Sequence, residues 1–147
     1  MHAKLLFENA RMRVSDFRLP PLATAVMLHT FPTVRWQVGD GAHHLRGADV
    51  KKVKDRQVFW AEPGTTWEVE NRGSDTYRQM LFEIKQPPKY TEEEVRRRLQ
   101  SAVFSTDVGT ELLFENHLCR VWDFFLDPGA GDPKAVHHHV LVCHTRA

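Results

Sequence analysis

The sequence predicts an all-β fold, a small barrel or sandwich of short strands, with one connecting α-helix. Three observations support this prediction. Short extended runs alternate with Gly and Pro turns over residues 1–88, a single capped helix follows in residues 89–103, and residues 104–147 repeat part of the opening sequence. A chain of 147 residues is long enough to bury a real core.

The composition argues against nucleic acid as a partner. Apolar residues make up 41% of the chain and charged residues 27%, as in ordinary soluble globular proteins. Because 20 basic residues nearly balance 19 acidic ones, there is no surplus of positive charge to bind phosphates. The one basic run, at residues 96–98, is expected to be a solvated helix face paired with the glutamates at 92–94.

The sequence also predicts the compartment. No apolar run approaches the roughly 18 residues of a transmembrane helix, so no membrane partner is expected. Lys4 and Glu8 introduce charge too early for a signal peptide. Cys119 and Cys143 are too few for a disulfide framework and lack the Cys-x-x-Cys spacing. We therefore expect reduced thiols and a cytoplasmic protein.

Extended runs in the first part of the chain have the composition of strands. They are residues 11–19, 34–38, 57–61 and 78–85. Residues 39–41, Gly-Asp-Gly, follow the second run and are typical of a hairpin turn. Pro63 and Gly64 predict a tight turn before a further strand, on which Trp67, Val69 and Asn71 share one side.

One helix has clear start signals. Thr91 as N-cap and Glu94 three residues later form a capping box. The apolar residues that would share one face of this helix are Val95, Leu99, Ala102 and Val103. Six to eight short strands with one connecting helix fit a small jelly roll.

An internal repeat links the two ends of the chain. Residues 5–21 align with residues 112–128, and 11 of the 17 aligned positions are identical. This identity predicts a duplicated structural unit, of which residues 104–147 are a truncated second copy. Since half a unit cannot satisfy its own strand edges, it is expected to pack on the first unit or to be swapped in a dimer. Asp16 and Asp123 recur in the two copies, which indicates a structural hydrogen bond, such as to Arg13 and Arg120.

Two segments resemble the signatures of the cupin family. The stretch 63–71 resembles the second signature, a Pro-Gly turn followed by a His and then an Asn, with Trp67 at the His position. Residues 29–31, His-Thr-Phe, resemble the His-x-His of the first signature, with Arg35 where the family has Glu. The resemblance implies a jelly-roll barrel in residues 1–88 that has kept only His29 of the usual metal ligands. It therefore implies no metal cofactor in the first repeat, and a homodimer, because cupins commonly pair through a sheet face.

The resemblance also implies an inner face for the predicted strands. By strand period His29, Phe31, Arg35 and Gln37 would line the cavity together with Trp67. A guanidinium beside aromatic walls suits a small organic carboxylate or an aromatic ligand. In the alternative interpretation, Phe31 and Trp67 fill the barrel as core. Arg35 would then pair with Glu62 or Glu68.

The second copy carries a different candidate site. His137 and His139 resemble a His-x-His and would share one side of a strand, so that a divalent Fe, Mn, Ni or Zn ion could bind there. The alternative is a His-rich strand without a metal. His43 and His44, next to the Gly-Asp-Gly segment, are expected to be solvated.

Besides a purely structural oligomer with a filled barrel, two functions follow from these sites. The first is a metal-poor, non-catalytic cupin that acts as a small-molecule-binding or assembly module. The alternative is a metal-dependent cupin enzyme that uses the His-x-His of the second repeat. No Gly-x-Ser-x-Gly elbow or phosphate-binding loop occurs, so the sequence leaves open whether the protein is an enzyme.

Overall fold

A computed structural model describes residues 2–103, 107 and 109–131. The chain divides into two compact units, Met1–Pro87 and Pro88–Ala147. Within the described residues, no helix has both the length and the apolar character needed to cross a membrane.

The first unit consists of strands alone. They are β1 (Ala3–Glu8), β2 (Met12–Leu19), β3 (Thr24–His29), β4 (Thr33–Gln37), β5 (Gly41–Leu45), β6 (Lys51–Val53), β7 (Val58–Ala61), β8 (Thr65–Asn71) and β9 (Tyr77–Ile84). A five-stranded sheet has the order β1-β2-β9-β4-β7, and a four-stranded sheet has the order β3-β8-β5-β6. The predicted all-β class is confirmed.

The core lies between the two sheets. The larger sheet contributes Phe17 and Leu81, and the smaller contributes Val53 and Val69 to one buried apolar cluster. Because side chains alternate along a strand, each strand has one inner and one outer face. This alternation determines which polar side chains lie on the inner faces, next to the apolar core.

The Pro63–Gly64 turn joins the two cupin-like segments. Gly64 has a φ of 81°, and the amide of Thr65 donates to the carbonyl of Glu62, the geometry of a type II turn. The amide of Gly64 also donates to the carbonyl of His29 at 2.7 Å. The start of β8 is therefore fixed against the end of β3.

The link between β4 and β5 differs from the prediction. The Gly-Asp-Gly segment does not close a hairpin, since β4 pairs with β7 and β9 in one sheet while β5 pairs with β6 and β8 in the other. Gly39, with a φ of 78°, turns the chain from one sheet to the other. Its amide donates to the carboxylate of Asp55, which holds this crossing in place.

The outer face of the larger sheet carries a buried ion-pair cluster around Asp16. Arg78 on β9 donates from Nε at 2.9 Å and from Nη2 at 3.0 Å to its carboxylate, and Arg18 donates from Nε at 3.0 Å. Burial favours the protonated carboxyl, but the hydrogen bonds from Arg78 and Arg18 hold the pKa of Asp16 below its usual value. The predicted partner Arg13 is wrong, because Arg13 pairs with Glu8 and Glu83.

The second unit begins with the predicted helix. α1 spans Glu92–Gln100, with Thr91 as N-cap and Glu94 completing the capping box. The helix ends with Ser101 as C-cap, so Ala102 and Val103 lie beyond it and do not extend its apolar face as predicted. The basic run is solvated as expected, since α1 has no buried residue and Arg96 approaches Glu92 at 3.9 Å.

The hairpin that follows α1 has the same construction as the hairpin that opens the chain. β10 (Glu111–Glu115) pairs with β11 (Arg120–Asp123) in the register of β1 with β2, with an irregularity at the equivalent place. Asn9 and Asn116 each accept two backbone amides in the turn. The identical residues therefore specify identical local geometry.

Two pairs of aligned residues differ in burial. Phe17 and Leu19 are core residues of the first unit, whereas the aligned Phe124 and Leu126 are 39% and 49% exposed. Among the residues that the structure describes, Phe124 and Leu126 are therefore not enclosed as Phe17 and Leu19 are.

Candidate functional site

The centre of the candidate site is Arg35, in the middle of β4. In the sheet register its neighbours are Leu81 on β9 and Phe59 on β7, both on the inner face. The side chain extends into the space between the sheets and is 1% exposed. Backbone pairing on both sides of β4 therefore holds a guanidinium inside the core.

Aromatic rings contact the face of this guanidinium. Its carbon atom lies 3.4 Å from the ring centroid of Trp67 and 5.1 Å from that of Phe59. Such stacking uses the π-face of the cation and leaves its N–H edge available. The inner position of Trp67 follows from the alternation along β8, as the sequence predicted.

The edge of the guanidinium has no protein partner in the described part of the chain. Nε and Nη2 of Arg35 are buried and make no hydrogen bond. The alternative pairing with Glu62 or Glu68 is wrong, because Glu62 accepts from Trp60 and Glu68 pairs with Arg46. Burial lowers the pKa of Arg35 to about 10, which still leaves it charged at neutral pH.

His29 lies next to the stacked pair, at the end of β3. Its ring meets Trp67 edge-on, with the centroids 6.0 Å apart and the planes at 89°. Burial, and then the charge of Arg35, lower the pKa of His29 to about 4, so the imidazole is neutral. Its Nε2 is buried and has no partner among the described residues. His29, Arg35 and Trp67 thus occupy one region, as predicted.

Phe31 and Gln37 lie away from that contact. Phe31 is in the turn between β3 and β4, where its ring lies 6.0 Å from the guanidinium carbon of Arg13. Gln37 is fully buried, and its amide belongs to a polar chain on the same inner face: it donates to the carbonyl of Gly39 and accepts from Gln79.

This polar chain runs between the sheets. Nε2 of Gln79 donates to Oε1 of Gln37 at 3.2 Å and to the hydroxyl of Tyr77 at 2.7 Å. The Tyr77 hydroxyl lies 2.9 Å from Nδ1 of His43. Because the hydroxyl oxygen already accepts from Gln79, its proton is free to be donated to an unprotonated Nδ1.

The electrostatics agree with this direction of donation. Burial, and then the charge of Arg35, lower the pKa of His43 to about 4, which makes its ring neutral. Burial raises the pKa of Tyr77, so the phenol keeps its proton. The expectation that His43 is solvated is wrong, since β5 directs it inward to 2% exposure.

Comparison with solved structures identifies the fold. No protein-family model and no curated protein matches the chain. A cupin domain from Bordetella pertussis Tohama I does match, with a TM-score of 0.53 and 19% identity, over 57% of this chain and 92% of that chain. This chain has the cupin fold.

Other solved structures are similar at lower scores. A double-stranded β-helix protein from Klebsiella pneumoniae matches with a TM-score of 0.47 and 17% identity, over 56% of this chain and 75% of that one. An RmlC-like cupin family protein from Methanocaldococcus jannaschii matches with 0.48 and 11%, over 56% of this chain and 77% of that one. The predicted cupin fold is confirmed by the match to the Bordetella pertussis domain, and at 19% identity that likeness concerns the fold alone.

The residues at the cupin metal position of the first unit do not fit a metal ion. A divalent metal typically needs about three protein ligands, and the four matching positions offer His29 alone, with Phe31, Arg35 and Trp67 at the others. The buried charge of Arg35 also repels a cation. Among residues 2–103, 107 and 109–131 no group of three or more potential metal ligands occurs. His137 and His139 lie outside the described residues.

Sequence reasoning missed His43, Tyr77 and Gln79. The available signal was the alternation along β9: once Gln37 is placed on the inner face, antiparallel pairing puts Gln79 opposite it and Tyr77 two residues further along. His43 could not be found in this way, because the segment before β5 reads as a hairpin turn.

Proposed function

We propose that this cupin-fold protein is a non-catalytic small-molecule-binding module whose interior site holds a small organic carboxylate. One observation carries the proposal. Arg35 is a buried cation whose Nε and Nη2 have no partner in the described chain. These two nitrogens present parallel N–H groups, the arrangement that matches the two oxygens of a carboxylate.

Energetics support a ligand at this position. Burying a charge without a partner costs several kcal/mol, roughly, which a protein normally avoids by pairing the charge or replacing the residue. A carboxylate bound to the guanidinium edge would offset this cost. The aromatic rings of Trp67 and Phe59 would further stabilise the cation.

The neighbouring groups suit an anion rather than a cation. His29 and His43 are both neutral, and the buried hydroxyl of Tyr77 keeps its proton. The one buried carboxylate of the described chain, Asp16, is already paired on the outer face. The nearest carboxylate on the inner face of β9, Glu83, is paired with Arg13, so a ligand carboxylate would meet the unpaired positive charge of Arg35.

Thermal unfolding of the full chain tests this proposal. Acetate, propanoate and benzoate, compared with chloride at equal ionic strength, should raise the unfolding midpoint in a saturable way, since a ligand at 100 times its Kd stabilises by about 2.7 kcal/mol. Arg35→Met should abolish the shift. Arg78→Met, which removes a guanidinium from the outer face, is the matched control and should keep it. Equal shifts in wild type and Arg35→Met, or no shift with any carboxylate, would refute the proposal.

A further inference from the structure

We propose that Gln79 is a second recognition group of the same site, and that the ligand is a small hydroxycarboxylate whose hydroxyl donates to Gln79 Oε1. This inference rests on the proposed carboxylate site at Arg35. It begins from an unmet acceptor: Gln79 is fully buried, and its Oε1 has no hydrogen-bond partner among the described residues.

The hydrogen-bond network fixes which end of the Gln79 amide is free. Gln37 donates to the carbonyl of Gly39, which can only accept, so Oε1 of Gln37 must face Gln79. Gln79 therefore has to present Nε2 to that oxygen, and the same Nε2 donates to Tyr77. Rotating the amide by half a turn would bring two oxygens together. The unpartnered atom is consequently the acceptor.

An acceptor in this position requires a donor. A buried polar atom left unpaired destabilises the folded state, and native proteins pair nearly all such atoms with protein, water or ligand. Gln79 and Arg35 lie on the inner faces of the adjacent strands β9 and β4, in diagonal positions of the register, because Gln79 pairs with Gln37 and Leu81 pairs with Arg35. Diagonal neighbours of this kind have Cβ atoms roughly 7–8 Å apart.

These two groups define the chemistry of the ligand. The edge of Arg35 offers two donors and suits a carboxylate, while Gln79 offers one acceptor and suits a hydroxyl or an N–H group. A ligand ammonium would bring a second positive charge into a buried region that already contains Arg35, so a neutral hydroxyl is favoured. Short acids that carry a hydroxyl at different distances from the carboxylate therefore test whether one ligand can bind both groups.

Matched pairs of acids test this inference on the full chain. Propanoate is compared with 2-hydroxypropanoate and 3-hydroxypropanoate, and butanoate with 4-hydroxybutanoate, by isothermal titration calorimetry. We expect at least one hydroxy acid to bind about tenfold more tightly than its parent acid, the effect of one buried hydrogen bond. Gln79→Met should remove this difference and leave the affinity for the parent acid within about threefold.

A control variant separates recognition from folding. Arg78→Met, at the adjacent outer-face position of β9, leaves Gln79 and both partners of its Nε2 in place, so it should lower stability and keep the preference for the hydroxy acid. The ratio of hydroxy-acid affinity to parent-acid affinity in the wild type tests the inference even if Gln79→Met does not fold. Parent acids that bind without any gain from a hydroxyl would overturn this inference alone. A chain that binds neither class would overturn the carboxylate site and the inference with it.

Discussion

Two arginines on neighbouring strands of one sheet have opposite environments. Arg78 lies on the outer face of β9 and directs Nε and Nη2 to both oxygens of Asp16, at 2.9 and 3.0 Å. Arg35 lies on the inner face of β4, more deeply buried, and the same two nitrogens have no partner in the described chain. The outer arginine has a carboxylate from its own chain, and the inner one has only aromatic rings.

The difference shows which arginine contributes to the stability of the fold. Arg78, together with Arg18, neutralises the buried carboxylate of Asp16, so its pair offsets the cost of burying that charge. Arg35 fills a position where an apolar residue would pack between Leu81 and Phe59 without an electrostatic penalty. A residue that lowers stability in this way is typical of a binding site. The comparison therefore favours a ligand over a structural role for Arg35.

Lowering the pH should reduce the free energy of unfolding through the two histidines of the inner region. His29 and His43 have pKa values lowered to about 4, from 6.5, by burial and then by Arg35. Both histidines are neutral in the folded protein and bind protons more readily in the unfolded chain. Their contribution to the free energy of unfolding is therefore present above pH 6.5 and is lost as the pH falls to 4. The loss is roughly 3 kcal/mol at most for each. Urea unfolding measured across this pH range checks the prediction.

A double variant isolates that effect. In His29→Gln/His43→Gln, the free energy of unfolding should change much less between pH 6.5 and pH 4 than in the wild type. His44→Gln, on the opposite side of β5 and partly exposed, is the matched control and should keep the wild-type profile. If wild type and double variant lose stability in parallel, the inner histidines are not the acid-sensitive groups.

Replacing the inner arginine should stabilise the protein without ligand. Arg35→Met keeps an unbranched side chain against Trp67 and removes the buried charge, which should raise the free energy of unfolding by about 1–4 kcal/mol. The measurement is urea unfolding at neutral pH in a buffer without carboxylates. A loss of more than about 1 kcal/mol would show that the stacking on Trp67 and Phe59 outweighs the cost of burial, and Arg35 would then be structural.

The sequence predicted those features of the fold that depend only on residues close together in the chain. Pro63 and Gly64 specify their turn through their own backbone preferences, and Thr91 with Glu94 specifies the start of α1. The Gly-Asp-Gly segment failed as a hairpin signal, because turn residues are compatible both with joining adjacent strands and with crossing between sheets. Choosing between these requires the pairing of β4 with β9, a contact distant in sequence.

The candidate site was predictable only in part for the same reason. The cupin-like spacing brought His29, Arg35 and Trp67 together, since a shared strand period and turn are readable in the sequence. The partners of Arg35 were not readable, because Glu62 and Glu68 are near in sequence but are directed to Trp60 and Arg46. Gln79 and Tyr77 enter the site through sheet register, which a single sequence does not specify.

The smallest effect is expected from the outer arginine. Arg78→Met leaves the buried carboxylate of Asp16 with Arg18 alone, whose side chain is 58% exposed. Because one charged hydrogen-bonding partner remains, the free energy of unfolding should fall by only about 1–2 kcal/mol at pH 7. The fall should vanish in the Asp16→Asn background, where no charge needs pairing, and a double-mutant cycle measures this coupling. If Arg78→Met stabilises the protein as Arg35→Met is expected to do, the two arginines are equivalent, and the unpaired edge of Arg35 no longer singles out a binding site.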